Sequence, residues 1–83
     1  MLKNEAVSIK GTSKEILMIF NESMPIMEIL EALRVKVKES NGFFKGSFNI
    51  RVSGREFTKS DVLRITSVLK TILPEATVYF DNF

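Results

Sequence analysis

The side chains that most often carry catalysis are missing from this sequence. Its 83 residues include no Cys and no His. Without them there is no thiolate nucleophile, no Ser–His or Cys–His pair and no zinc site of the usual kind. Carboxylates alone suit only oxygen-preferring metals, and Asp61 is predicted to cap a helix while Asp81 lies near the chain end. We therefore expect no enzymatic activity, no metal and no cofactor.

The glycine-rich segment 42–46 could be mistaken for a nucleotide-binding or RNA-binding loop. It lacks the Lys-Ser/Thr pair of a phosphate loop and does not open a helix, and its spacing is not the GxxG of KH domains. An RRM-like sheet would need stacked aromatic side chains, and Tyr79 is the one ring expected on the exposed sheet face. RNA binding is therefore only a minor alternative, and we expect no nucleic-acid partner.

Composition and charge place the chain among small globular domains. Twelve Lys and Arg against ten Asp and Glu give a net charge of +2, which ordinary solubility explains. No apolar run approaches the length of a membrane span, and the first residues lack a signal-peptide pattern. Small secreted domains usually need disulfides, so we expect one cytoplasmic domain over residues 1–83, without direct membrane insertion.

Alternation and helical spacing predict six elements in the order ββαβαβ. Strands are predicted from Ala6 to Lys10, from Glu15 to Phe20, around Phe48, Ile50 and Val52, and around Ala76, Val78 and Phe80. One helix follows Pro25 and carries the apolar stripe Ile26, Ile29, Leu30, Leu33 and Val37, with a stop at Asn41-Gly42. A second begins near residue 59 after a capping box, Thr58 to Asp61, and ends at Pro74.

Handedness fixes the arrangement of these elements. Right-handed crossovers place both helices on one face of a four-stranded sheet. The predicted fold is a two-layer α/β domain with a mixed sheet of order 1-2-3-4, in which the first strand is antiparallel to the others. Its open face would be mostly polar, with an apolar patch where Leu17 and Ile19 lie beside Tyr79.

The same topology gathers cations and aromatic rings at one end of the sheet. We call this set the basic end; it comprises Lys10, Gly11, Lys36, Lys38, Phe43, Phe44 and Lys45. Such a set suits an acidic, partly apolar protein surface. A purely structural role remains an alternative for some of these residues. The helix dipole alone favours cations such as Lys36 and Lys38 in the last turn of a helix, and one of the two Phe residues belongs to the core. Gly11 is expected to take positive φ or to lie where a partner backbone approaches closely.

Several of these segments together resemble a known family. They are Val7-Ser8-Ile9-Lys10-Gly11-Thr12, the apolar strand and proline-started helix that follow, and Phe43-Phe44-Lys45 before a Phe-x-Ile-x-Val strand. In order and spacing they resemble the N-terminal domain of the MinC family of bacterial division inhibitors, over essentially the whole chain. The resemblance implies a domain that binds FtsZ, the tubulin-like protein of the division ring, and weakens its filaments.

The resemblance also implies which residues face FtsZ and what lies beyond this domain. The family's FtsZ-facing surface matches Lys10, Gly11, Lys36 and Phe43, and Lys45 matches a position that is basic in some relatives. A separate C-terminal β-helical domain, which this chain does not contain, dimerises and binds the membrane-associated ATPase MinD. We therefore expect an N-terminal fragment, monomeric or weakly dimeric, recruited to the membrane through MinD in the full-length protein.

One alternative of a different class shares the same architecture. Sheet-face docking modules of the anti-sigma-antagonist type carry a phosphorylatable Ser at the start of a helix. Ser60 stands in the cap region here.

Overall fold

The computed structural model describes residues 5–12, 15–39 and 48–81, which contain six elements in the predicted order. They are β1 (Val7–Gly11), β2 (Ile16–Phe20), α1 (Ile26–Glu39), β3 (Phe48–Ser53), α2 (Lys59–Ile72) and β4 (Ala76–Phe80). None of the described helices is long and apolar enough to span a membrane.

The sheet has the predicted order and directions. Its four strands run β1-β2-β3-β4, with β1 antiparallel to β2 and the remaining neighbours parallel. Met18 lies opposite Ile9 on one side and Val52 on the other, which places apolar residues of three strands on one face. The predicted fold class is confirmed.

One apolar cluster joins that sheet face to both helices. Its fully buried members include Met18, Phe20 and Ile50 from the sheet, Ile29 and Leu33 from α1, and Ile65 and Leu69 from α2. The helical stripes read from the sequence are therefore the surfaces that face the sheet. Burial of these side chains is the main force that holds the two layers together.

The start of α2 is fixed by the predicted capping box. Thr58 Oγ1 accepts a hydrogen bond from the backbone N–H of Asp61 at 3.1 Å, and the Asp61 carboxylate accepts one from the N–H of Thr58 at 3.1 Å. The two bonds satisfy backbone donors that the first helical turn leaves without intrahelical partners. Asp61 is thus engaged in structure.

The glycine that needs a left-handed backbone is Gly54 and not Gly11. Among the described glycines, positive φ occurs at Gly54, at 106°. Gly11 is a residue of β1 that lies opposite Ile16, so the expectation of positive φ at Gly11 is wrong. A Cβ added to Gly54 would stand 2.3 Å from the carbonyl oxygen of Phe20, and β3 can turn there only because no Cβ is present.

The segment after Gly54 anchors the start of α1 and completes the core. Arg55 Nη1 donates to the carbonyl oxygens of Asn21, at 3.0 Å, and Met24, at 2.6 Å. The ring of Phe57 is buried, with edge-on contacts to Phe20 and Phe80 at centroid distances of 5.9 and 5.3 Å. Neither role was predicted, because both residues lie between periodic elements.

Candidate functional site

Lys10 and Gly11 stand at the end of β1 on a closed turn. The N–H and hydroxyl of Thr12 both donate to the carbonyl oxygen of Glu15 at 2.8 Å, and the N–H of Glu15 donates back to the Thr12 hydroxyl at 2.9 Å. These bonds hold the strand end in place. Lys10 and Gly11 are exposed, and among the described residues Lys10 forms no ion pair. Its charge is therefore available to a partner.

Lys36 has an intramolecular partner. Its Nζ lies 3.6 Å from Oε1 of Glu5, and both side chains are about one-third to one-half exposed, at 36% and 44%. Helical side chains lean towards the helix N-terminus, which brings Lys36 back to the residue two positions before β1. An exposed pair of this kind contributes about 0 to 1 kcal/mol and leaves the lysine free to exchange partners.

The structure brings together only part of the predicted basic end. The Lys36–Glu5 pair lies towards the start of β1, whereas Lys10 and Gly11 occupy its end. Lys38 is exposed in the last turn of α1, as predicted for that turn. Phe43, Phe44 and Lys45 lie outside the described residues. That the basic end forms one continuous surface therefore stays a prediction.

An arginine spans the centre of the open sheet face, and the sequence reading did not foresee its role. Arg51 Nε lies 3.1 Å from Oε2 of Glu15, and its Nη1 lies 3.1 Å from Oδ1 of Asp81. The hydrogen bond from Arg51 to Glu15 is the largest cause that raises the pKa of the guanidinium above its ordinary value, and the hydrogen bond to Asp81 is the second. The three charges link β3 to the segments that flank β2 and β4.

Arg51 also divides the apolar patch expected on this face. Cross-strand register places Arg51 between Leu17 of β2 and Tyr79 of β4. Because β3 lies between β2 and β4, the predicted side-by-side arrangement of Leu17 and Ile19 with Tyr79 is wrong. Leu17 and Ile19 are half-buried, whereas Tyr79 is 47% exposed. The strand alternation already indicated this position, because it places Arg51 on the same face as Leu17 and Tyr79. A side chain as long as that of Arg also reaches residues two positions from its direct cross-strand partner.

The helical layer exposes apolar side chains that the sequence reading also missed. Leu63 is 71% exposed and Met27 is 61% exposed. Arg64 Nη1 approaches the sulfur of Met27 at 3.3 Å, which brings α2 beside the start of α1. Leu63 and Met27 lie off the core-facing apolar stripes of their helices, and this spacing could have predicted that they are exposed.

The described residues offer surfaces for contact. In the ranges 5–12, 15–39 and 48–81, no three acidic side chains are grouped to hold a metal ion. The same ranges contain no buried polar side chain without a hydrogen-bond partner. The chemistry available at the end of β1 is that of exposed charge on a firm backbone, which suits recognition of another protein.

Comparison with known proteins identifies a family. A family model described as the septum formation inhibitor MinC, N-terminal domain, matches residues 7–74. No curated protein and no solved structure matches the chain. The matched segment runs from the start of β1 through α2 and includes the five residues predicted to bind a partner, while β4 follows it.

Proposed function

This chain belongs to the family of the N-terminal domain of the septum formation inhibitor MinC, and we propose that it binds FtsZ through the basic end of its sheet. Domains of this family are non-catalytic and inhibit division by acting on FtsZ. Membership therefore favours this function over a docking module of the anti-sigma-antagonist type. Ser60, the residue on which that alternative depended, is an exposed residue in the first turn of α2.

The contact surface we propose consists of Lys10, Gly11, Lys36, Phe43 and Lys45, and it extends from the end of β1 towards the Lys36–Glu5 pair near the start of that strand. The observation that carries it is the exposed Lys10 beside an exposed glycine, on a turn closed by hydrogen bonds and with no ion pair among the described residues. A partner carboxylate can meet this ammonium without displacing an existing pair. Because Gly11 has no side chain, a partner surface can approach β1 closely at this position.

The proposed mechanism is a shift of the FtsZ assembly equilibrium. The surface docks on an acidic patch near the junction between filament subunits. If it binds the separated junction more tightly than the closed one, each bound domain favours disassembly. No covalent bond needs to be made or broken, and the inhibitor is released unchanged.

The setting in the cell follows from the same family relationship. We propose that the domain works in the cytoplasm. In the full-length protein, a C-terminal β-helical domain would bind MinD and bring this domain to the membrane. Local concentration there would increase the occupancy of FtsZ without any change in intrinsic affinity.

Association kinetics with purified FtsZ test the proposed surface. Lys10→Glu should slow association about tenfold at low salt, and the difference from wild type should shrink as salt rises, since steering by an exposed charge is screened. The matched control is Lys59→Glu, which reverses an exposed cation at the start of α2. Equal association rates for the two variants would contradict the assignment of Lys10.

A charge exchange separates the two roles open to Lys36. Lys36→Glu alone removes the pair with Glu5 and reverses the charge that we propose FtsZ reads. Combining it with Glu5→Lys restores an intramolecular pair while the sign at position 36 stays reversed. If Lys36 contacts FtsZ, the double variant remains defective. Full recovery of binding would show that the residue acts only through Glu5.

A further inference from the structure

The sheet ends in two edges that differ in their protection. Edge strands expose unpaired N–H and C=O groups, and proteins usually protect them with charges, prolines or bulges. β1 carries one such residue, Lys10. The residues of β4, Ala-Thr-Val-Tyr-Phe, include no charge and no proline. The outer edge of β4 is thus the less protected of the two.

The hydrogen bonds of β4 show which of its backbone groups are free. The N–H of Asp81 donates to the carbonyl of Val52, so by alternation the backbone groups of Thr77 and Tyr79 also face β3. Those of Ala76, Val78 and Phe80 then point outwards. At Ala76 they are occupied, because its N–H donates to Leu73 and its carbonyl accepts from Lys70 Nζ at 2.7 Å.

Two residues therefore present an open edge. Among the described residues, the outward N–H and C=O groups of Val78 and Phe80 have no partner. We propose that β4 pairs with β4 of a second copy of this chain, antiparallel across a two-fold axis at Tyr79. In this register Val78 lies opposite the partner's Phe80, and each such pair exchanges both of its N–H···O bonds.

The side chains on the open face are self-complementary in this register. Tyr79 lies opposite the partner's Tyr79, where aromatic side chains of neighbouring strands stabilise pairing. Thr77 lies opposite the partner's Asp81. Since Arg51 bonds only Oδ1 of that carboxylate, the second oxygen can accept a hydrogen bond from the Thr77 hydroxyl.

Lys70 and the charges that flank β4 select against the neighbouring register. A pairing centred on Val78 would use the backbone groups of Ala76, which are already bonded to Leu73 and Lys70. It would also place Glu75 opposite the partner's Asp81. Like charges on directly opposite residues destabilise a strand pair. The axis at Tyr79 avoids both conflicts.

The strength and salt dependence of this dimer follow from its size and from α2. An edge of five residues buries far less than the roughly 1,600 Å² of a stable interface, so association should be weak. Lys59 lies eleven residues, or about three turns, before Lys70 and so shares the side of α2 that faces the edge of β4. The two α2 helices would approach antiparallel, and their lysines repel. Added salt should therefore strengthen the dimer.

Single cysteines test the register directly, because the chain has none of its own. Non-hydrogen-bonded cross-strand partners have Cα atoms about 4.5 Å apart, within the range of a disulfide. Oxidised Tyr79→Cys should give a covalent dimer. Thr77→Cys should give at least tenfold less, because its opposite residue is the partner's Asp81. Equal cross-linking of the two variants would overturn the register.

A pair of lysine variants tests the same interface without covalent capture. Tyr79→Lys places two like charges opposite each other and should weaken association at least tenfold in sedimentation equilibrium. Thr77→Lys adds the same charge on the same strand but opposite the partner's Asp81, so it should associate at least as well as wild type. Both positions are exposed, and melting curves check that both variants fold.

The outcome is independent of the proposed function, since FtsZ is not in the assay. A wild-type chain whose mass shows no concentration dependence up to about 1 mM, at low and at high salt, would refute pairing through β4. So would equal behaviour of the two lysine variants, which is the result expected if copies meet through β1 or through the helical layer. Loss of association for Tyr79→Lys alone, with salt strengthening the wild-type dimer, is the result expected here.

Discussion

Gly54→Ala should destabilise this domain severely, although it adds a single methyl group. The new Cβ would lie 2.3 Å from the carbonyl oxygen of Phe20 and 2.7 Å from its nitrogen, at a φ of 106°. Positive φ costs a non-glycine residue about 1 to 2 kcal/mol, and forcing backbone apart adds about 1 to 3 kcal/mol. The sum, about 2 to 5 kcal/mol, is a large part of the roughly 4 to 12 kcal/mol expected for a domain of this length.

Thermal and urea unfolding followed by circular dichroism measure this effect. For a domain of this size each kcal/mol shifts Tm by about 4 to 8 °C, so Gly54→Ala should lower Tm by at least about 8 °C. The matched control is Gly11→Ala, an exposed strand position that should change stability by less than about 1 kcal/mol. If Gly54→Ala melts within about 3 °C of wild type, the close approach of β3 to Phe20 is not as described.

Four further predictions concern single side chains. Phe57→Ala should cost about 3 to 5 kcal/mol in urea unfolding, because it removes a buried ring that packs between the buried Phe20 and the partly buried Phe80. Arg55→Ala should cost about 1 to 3 kcal/mol in the same assay, since two backbone carbonyls lose their donor. Phe43→Ala should abolish inhibition of FtsZ with little change in Tm, whereas Phe44→Ala should lower stability by about 3 to 5 kcal/mol; the reverse pattern would exchange their roles. Gly11→Asp should weaken inhibition through its charge while its melting curve stays within a few degrees of wild type.

The regular elements of this fold could be predicted because each has its own period. The strand alternation of Phe48, Ile50 and Val52 and the stripe from Ile26 to Val37 both survive in the structure as buried surfaces. Right-handed crossovers then leave one arrangement of layers. The capping box of Thr58 and Asp61 was readable for the same reason, because it depends only on a local spacing.

What could not be predicted depends on close approach between distant segments. Gly11 and Gly54 look alike in sequence, but the positive φ of Gly54 and its proximity to Phe20 make it the harder of these two to replace. Phe57 lies outside any periodic run, although its place just before the helix cap is where a hydrophobic staple occurs. The Lys36–Glu5 pair likewise depends on where the helix crosses β1, which spacing does not determine.

The most direct test of the central claim is sedimentation of FtsZ polymers in the presence of this chain. Wild-type protein should lower the amount of FtsZ in the pellet, and Lys59→Glu should lower it equally. Lys10→Glu should leave most of the FtsZ in the pellet while its own melting curve stays within a few degrees of wild type, since an exposed lysine contributes little to stability. A folded Lys10→Glu variant that inhibits as well as wild type would contradict binding through the basic end of the sheet.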